Sequence, residues 1–169
     1  MANPREEWNR LDVLLETATA AVSGCGVPVG RSGVVHGNVV WDECCEGYLF
    51  IRVVRTNVAD PFPTATQTPS DCTLELATLV EMGILRCAPV MDDNGNPPSA
   101  QAQSDFAEEV IRDKSILFHV ITNHNPDWAH YPTVIDSWNP LGIEGGCGGG
   151  AWQFFVDVAL CPCGPIDPT

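Results

Sequence analysis

The chain has 169 residues, of which 44% are hydrophobic, and this is enough for one domain with a sizeable core. Its 22 acidic and 8 basic residues give a formal net charge of −14, which opposes tight binding to the phosphates of nucleic acid. No apolar run approaches the roughly 20 residues that span a bilayer, and the first residues lack the apolar centre of a signal peptide. We therefore expect a single domain over residues 1–169, intracellular when made and without a membrane segment.

The first part of the chain predicts one helix followed by two strands. Apolar residues recur at steps of three and four over residues 4–22, which predicts an amphipathic helix that Gly24 and Gly26 end. Runs rich in β-branched and aromatic residues then predict strands at residues 39–41 and 48–54.

The middle of the chain predicts a long loop, a further strand and a second helix. Three prolines among Thr, Asn and Asp predict a loop over residues 56–71, and a loop of this length often has a function. Residues 72–90 fit a strand or a buried helix, and alternation at Leu74 and Leu76 favours the strand. A turn cluster then leads into a helix over residues 100–123. The expected apolar side of this helix consists of Phe106, Val110, Leu117, Val120 and Ile121.

The last part of the chain predicts a carboxy-terminal hairpin over residues 133–160. Six of the nine residues from 142 to 150 are glycine, and this run predicts a tight reversal between strands at 133–138 and 152–160. A phosphate-binding loop is not expected, because no Lys followed by Ser or Thr comes after the glycines. Trp138 and Trp152 flank the turn and could pair across the strands. The order of elements predicts an α+β fold, a mainly antiparallel sheet with two helices packed on it.

Residues with catalytic or metal-binding chemistry form no local signature. The acidic turn at residues 92–96 lacks the ligand order of a calcium loop and has Gln103 at its twelfth position, so a solvated turn is favoured. His119 falls in the second predicted helix, and His124 and His130 fall in the loop after it, where surface or cap positions explain them. No nucleophile or zinc-protease motif is present. We expect no catalytic, cofactor-binding or metal-binding residues and no enzymatic activity.

The cysteine content is high for a protein made inside a cell. Disulfides are disfavoured in a reducing cytosol, so we expect most of the cysteines to be buried thiols. A zinc site favours two matched Cys-x2-Cys pairs, whereas the sequence offers only the adjacent Cys44-Cys45 and the short Cys161-Pro162-Cys163. A structural metal remains the alternative. The eight cysteines are Cys25, Cys44, Cys45, Cys72, Cys87, Cys147, Cys161 and Cys163.

Taken together, these segments resemble the tail terminator proteins of long-tailed (siphovirus) bacteriophages that infect actinobacteria. The resemblance lies in the amino-terminal helix and in residues 41–53, 81–89 and 138–152, which together span most of the chain. It implies an α+β subunit that forms a homo-hexameric ring, caps the tail tube and joins it to the head. The implied partners are the major tail tube protein and the head-closure connector protein, with DNA passing non-specifically through the channel. The resemblance implies no catalysis and no cofactor, and places the protein at the head–tail junction of the virion after assembly in the host cytoplasm.

A ring would explain several features of the sequence, and two other functions stay open. The Pro-rich loop and the glycine hairpin are expected to reach neighbouring copies, and acidic residues facing the channel would let DNA slide. A head-closure or adaptor connector would instead form a six-fold or twelve-fold ring on the portal side. A small metal-dependent enzyme that uses the Cys and His residues would contain stoichiometric zinc.

Overall fold

The computed structural model describes residues 4–39, 43–66, 74–123 and 132–160, which form two helices and one five-stranded sheet. The sheet has the strand order β1-β2-β3-β5-β4; β1 and β2 are parallel, and the other neighbours are antiparallel. The predicted α+β fold with a mainly antiparallel sheet is confirmed. The elements are α1 (Pro4–Gly24), β1 (Arg31–His36), β2 (Tyr48–Ala59), β3 (Leu74–Cys87), α2 (Ala100–Asn123), β4 (Thr133–Glu144) and β5 (Cys147–Leu160).

Local signals in the sequence set two of the helix ends. At the end of α1, Gly26 has a φ of +74°, and the N–H of Val27 donates to the carbonyl of Val22 at 3.3 Å, the pairing of a Schellman motif. At the start of α2, the Oγ of Ser99 accepts a hydrogen bond from the N–H of Ala102 at 3.1 Å, so Ser99 is the N-cap. Both predicted helices are confirmed, and α1 extends to Gly24 rather than stopping at residue 22.

The main core lies between the two helices and one face of the sheet. α1 packs over β1 and β2, and α2 packs over β3 and β5. Alternate residues of the strands point toward the helices, and each large apolar side chain buried there contributes about 1.5–3 kcal/mol. Fully buried strand residues of this core are Leu49, Ile51, Val80, Met82 and Phe154. Of the predicted apolar side of α2, Leu117, Val120 and Ile121 are buried, whereas Phe106 and Val110 are half-buried.

A second, smaller core lies on the other face of the sheet. Because β1 and β2 are parallel neighbours, the chain between them must cross a face of the sheet. We call this connection the crossover segment, residues 37–47, of which 40–42 lie outside the described residues. Its Val39 and Cys44 pack in one cluster with Tyr48, Phe50 and Leu85. The helices therefore cover one face, and the crossover segment covers part of the other.

The first strand lies earlier in the chain than the sequence indicated. The strand prediction for residues 39–41 is wrong at Val39, which belongs to the crossover segment, and residues 40 and 41 lie outside the described residues. The observed strand is β1, Arg31–His36. Its short, partly exposed sequence has weak apolar alternation, because an edge strand needs fewer apolar side chains to pack. The strand predicted at residues 48–54 is confirmed as part of β2, and the strand favoured within residues 72–90 is confirmed as β3.

The predicted Pro-rich loop begins later than residue 56. β2 continues to Ala59, and the hydroxyl oxygens of Thr56 and Thr78 lie 3.1 Å apart across the β2–β3 pair. The chain then folds back on the strand, since the N–H of Thr66 donates to the carbonyl of Val58 at 2.9 Å. The loop prediction is therefore wrong for residues 56–59, and residues 67–71 lie outside the described residues.

The carboxy-terminal hairpin is confirmed, with longer strands and a shorter turn than predicted. Glu144 pairs with Cys147, so the turn is Gly145-Gly146 alone, with φ angles of +58° and +81°. Positive φ at both positions is typical of the two-residue type I′ turn. The glycines at 148–150 belong to β5. A Cβ on Gly150 would lie 2.2 Å from the Trp138 ring, so this glycine is required by packing rather than by the turn.

Candidate functional site

In the acidic turn before α2, the carboxylate of Asp92 accepts hydrogen bonds from other residues of the same turn. Both oxygens of Asp92 accept hydrogen bonds, Oδ1 from the N–H groups of Asn94 and Asn96 at 2.9 and 2.8 Å, and Oδ2 from the Asn96 amide at 2.8 Å. These bonds, the one from the Asn96 side chain most strongly, lower the pKa of Asp92 below its usual 3.8. The predicted solvent-exposed turn is confirmed for residues 92–96.

The histidines are not brought together with other metal ligands in the part of the chain that the structure describes. His119 is exposed on α2, and its Nδ1 lies 3.0 Å from the amide nitrogen of Asn123. His124 and His130 lie outside the described residues. Across residues 4–39, 43–66, 74–123 and 132–160, no three His, Cys, Asp or Glu side chains are grouped to hold a metal ion.

The predicted tryptophan pair forms and ties the hairpin to α2. The ring centroids of Trp138 and Trp152 lie 5.6 Å apart in an edge-on arrangement across the β4–β5 pair. Trp152 also contacts Phe118 of α2, with centroids 5.2 Å apart, and its Nε1 donates to the carbonyl of Lys114 at 2.8 Å. Both indoles are half-buried. The pair is thus mainly a packing element between sheet and helix.

The expectation of buried free thiols is wrong for all five described cysteines, because four are disulfide-bonded and Cys25 is exposed. Cys44 is bonded to Cys147, and Cys45 is bonded to Cys87. The sequence separation of 103 residues in one bond and 42 in the other explains why spacing alone did not reveal either pairing. Cys25 is a free, exposed thiol. The remaining cysteines, Cys72, Cys161 and Cys163, lie outside the described residues.

The two disulfides differ in their surroundings. Cys44 and Cys147 are 2% and 3% exposed and lie in the smaller core, whereas Cys45 and Cys87 are exposed. Together the bonds join the crossover segment to the ends of β5 and β3. Adjacent residues of the crossover segment thus carry one protected disulfide and one accessible disulfide.

A cleft of about 350 Å³ lies beside the accessible disulfide. The guanidinium of Arg31 lies over the ring of Tyr48 at 4.1 Å and 3.9 Å from an oxygen of Glu43, so its charge is already partly compensated. The carboxylate of Glu46 adds a second negative charge, which leaves a net negative lining. The lining residues are Gly30, Arg31, Glu43, Cys45 and Glu46.

A polar ladder crosses the face of the sheet opposite the helices. Arg52, Glu81 and Gln153 lie side by side on β2, β3 and β5. One oxygen of the buried Glu81 accepts from Arg52 at 2.8 Å, and the other accepts from Gln153 at 2.8 Å. Arg52 also donates to the carbonyl of Gly37 at 2.7 Å. The ladder therefore neutralises a buried carboxylate and fixes the start of the crossover segment.

A buried ion pair joins α2 to the end of β3. The Nε and Nη2 atoms of Arg86 donate to the two carboxylate oxygens of Asp113 at 2.5 and 2.9 Å, a bidentate geometry. The Asp113 side chain is fully buried, and that of Arg86 is 6% exposed. Nη1 of Arg86 donates to the carbonyl of Pro28 at 3.1 Å. No local sequence pattern reveals this pair, because each partner is visible only as a charged residue at an otherwise apolar position of its element.

Apolar side chains are exposed on both halves of the molecule. Ile111 and Phe118, 63% and 40% exposed, lie seven residues apart on one face of α2, and we call them the α2 patch. Trp8 and Val13 of α1 are 53% and 42% exposed, over the β1–β2 half. These exposed side chains are candidates for contact with another protein.

The hairpin is part of the sheet rather than a free arm. Cys147 pairs with Cys87, so β5 begins level with the end of β3, and the N–H of Ala88 donates to the carbonyl of Gly146 at 2.8 Å. β4 is an edge strand of the sheet, and its Val134 and Ile143 side chains are exposed. The predicted hairpin is therefore an edge of the sheet and not a projecting arm.

The sequence matches no protein-family model, and no curated protein matches it significantly. Neither described helix combines the length and apolar character needed to cross a membrane.

Proposed function

We propose that the protein is a structural tail terminator of a siphovirus: six copies form a ring that caps the tail tube and joins it to the head-closure connector, and DNA passes through the channel. The proposal rests on the resemblance in residues 41–53, 81–89 and 138–152 and on an α+β subunit of the kind that this resemblance implies.

The distribution of exposed apolar side chains is the observation that carries the ring. The α2 patch lies over the β3–β5 half, and the exposed apolar residues of α1 lie over the β1–β2 half. One copy thus exposes apolar side chains at two different places, one on each helix. When unlike surfaces of successive copies meet, the contact is heterologous, and it closes into a ring if the rotation between copies divides a full turn.

The two disulfides support a location outside the reducing cytosol for the mature protein. Bonds such as Cys44–Cys147 and Cys45–Cys87 persist in oxidising surroundings. The surface of a released virion is exposed to such surroundings. A protein assembled in a host cell and then carried in the virion meets such surroundings.

The charge distribution supports passage of DNA without capture. Residues 91–109 contain no Lys or Arg, and the five carboxylates in that range are exposed. If this segment faces the channel, it repels phosphates and does not retain a moving duplex. The five are Asp92, Asp93, Asp105, Glu108 and Glu109.

The proposal is tested by capping of tail tubes. Purified protein is mixed with tubes of the major tail tube protein and imaged by negative stain, with the Ile111→Asp variant beside it. A charge in the α2 patch should abolish rings and tube-end density, because it would be desolvated between copies. Gln103→Asp places the same charge on an exposed, polar position of α2 and should keep both. Binding by both variants alike would reject the α2 patch as the contact.

The alternative connector role predicts a different location. A head-closure or adaptor protein should bind the portal side and leave tube ends bare. The same images therefore separate the two functions.

A further inference from the structure

We propose that the Cys45–Cys87 disulfide is a thiol–disulfide exchange site that accepts uncharged or cationic thiols and disfavours anionic ones. The site comprises this bond and the cleft beside it, and it is independent of ring formation. The Cys44–Cys147 bond, one residue away in the crossover segment, is the structural bond, which exchanges much more slowly.

Accessibility separates the two bonds. A thiolate must reach a sulfur along the axis of the S–S bond, and Cys45 lines an open cleft of about 350 Å³ that admits a small thiol. Cys44 and Cys147 lie in the smaller core with Phe50 and Leu85, so their bond reacts only after local opening. The same crossover segment therefore contains one reactive bond and one protected bond.

The lining of the cleft sets the preference among thiols. Arg31 is engaged by the Tyr48 ring and by Glu43, and Glu46 adds a carboxylate. The net charge beside the disulfide is thus negative, in a chain of net charge −14. An anionic thiol is repelled from this lining, whereas an ammonium-bearing thiol is attracted.

The exchange is balanced in atoms and electrons. A thiolate of the reagent attacks one sulfur of the Cys45–Cys87 bond, a mixed disulfide forms, and the other cysteine leaves as a thiolate that takes a proton from water. A second thiol attacks the mixed disulfide and releases the second cysteine. The two reagent thiols are oxidised to a disulfide by two electrons, and the protein disulfide is reduced by the same two.

Retention of the inner bond gives the exchange a defined structural result. With Cys45 and Cys87 reduced, the crossover segment loses its tether to β3 but keeps its tether to β5 through Cys44 and Cys147. The Arg52 contact to the Gly37 carbonyl also remains. The fold should persist while the cleft opens.

The test follows the opening of each disulfide by the alkylation of one of its cysteines, Cys87 for the Cys45–Cys87 bond and Cys147 for the Cys44–Cys147 bond. The folded protein, purified without reductant, is pulsed with cationic cysteamine or anionic glutathione, quenched in acid and alkylated. Cleavage after Arg86 and Lys114 puts Cys87 and Cys147 on different peptides for mass spectrometry. Both rates are divided by those of the same thiols with a short model disulfide. We expect Cys87 to be alkylated at least about tenfold faster than Cys147, because the latter needs local opening.

Variants of the lining test the charge preference. Glu46→Gln should raise the normalised glutathione rate at Cys87 by about threefold to fivefold and leave an uncharged thiol nearly unaffected. Glu16→Gln, an exposed position on α1 outside the cleft, is the matched control and should change neither. Equal rates at Cys87 and Cys147, or no Cys45–Cys87 bond in the purified protein, would overturn the exchange site. Equal normalised rates for cysteamine and glutathione would overturn the charge preference.

Discussion

At the scale of single residues, the Arg86–Asp113 pair is the most consequential interaction in the described structure. Two opposite charges are removed from water, and the bidentate hydrogen bonds compensate the desolvation of both. Removing one partner leaves the other buried without a counter-charge, which costs much more than the net contribution of the intact pair.

Asp113→Asn should therefore lower the free energy of unfolding by about 3–5 kcal/mol. Urea denaturation followed by tryptophan fluorescence measures the change. Asp105→Asn on the same helix removes an exposed carboxylate that accepts a hydrogen bond from Gln101, and it should shift stability by less than about 0.5 kcal/mol. Similar losses of stability in the two variants would contradict the argument that removal of the Asp113 charge leaves Arg86 buried without a counter-charge.

Asp92 provides a pH-dependent signal at the same scale. Because hydrogen bonds to its carboxylate lower the folded-state pKa below the usual 3.8, the charged form stabilises the turn. This contribution is present above the unfolded-state pKa and is lost as the pH falls through the folded-state value.

An NMR titration of the Asp92 carboxyl carbon should give a pKa below 3.8, and Asn96→Ala should move it back toward that value, since Asn96 is the main donor. An Asp92 pKa at or above 3.8 in the parent protein would contradict the hydrogen bonding described for the turn.

At the scale of elements, the glycines of β5 show how tertiary packing overrides a local interpretation. The run from 142 to 150 predicted a turn, yet only Gly145 and Gly146 make it. Gly149 and Gly150 are strand residues that leave room for the Ile84 carbonyl and the Trp138 ring. The sequence alone could not separate these demands, because glycine satisfies both a positive φ and a close approach.

Gly150→Ala should destabilise the protein by about 1–3 kcal/mol, because its Cβ would overlap the Trp138 indole and displace it from Trp152. The near-ultraviolet circular dichroism of the tryptophan pair should weaken with it. Gly142→Ala is the matched control in β4, where an added Cβ meets nothing within 4 Å. An unchanged spectrum for Gly150→Ala would contradict the packing of Trp138 on this glycine.

The helices and strands were largely predictable, and the long-range links were not. Periodicity predicted α1, α2 and the cores of β2 and β5, since these elements bury regular apolar faces. β1 was not predicted because an edge strand buries few apolar side chains. The crossover segment was not predicted because its position depends on contacts with sheet residues that are distant in sequence. The disulfides and the Arg86–Asp113 pair join residues far apart in sequence, so no local pattern reports them.

At the scale of the whole molecule, the proposed ring depends on two unlike sets of exposed apolar side chains, one on α1 and one on α2, of one acidic chain. The α+β fold supports the proposal for the single subunit. A ring requires in addition that the α2 patch contact a neighbouring copy. A sheet edge alone is a weaker candidate, because β4 contains Pro140 and two irregularities of register that oppose continuous pairing with another strand.

The most direct test of the ring is the mass and symmetry of the purified protein, by light scattering in solution and by imaging on tail tubes. If the ring forms, the mass should be six times the 18.2-kDa chain mass, and a six-fold ring should appear at one end of each tube. A protein that stays monomeric at high concentration and leaves tube ends bare would contradict it.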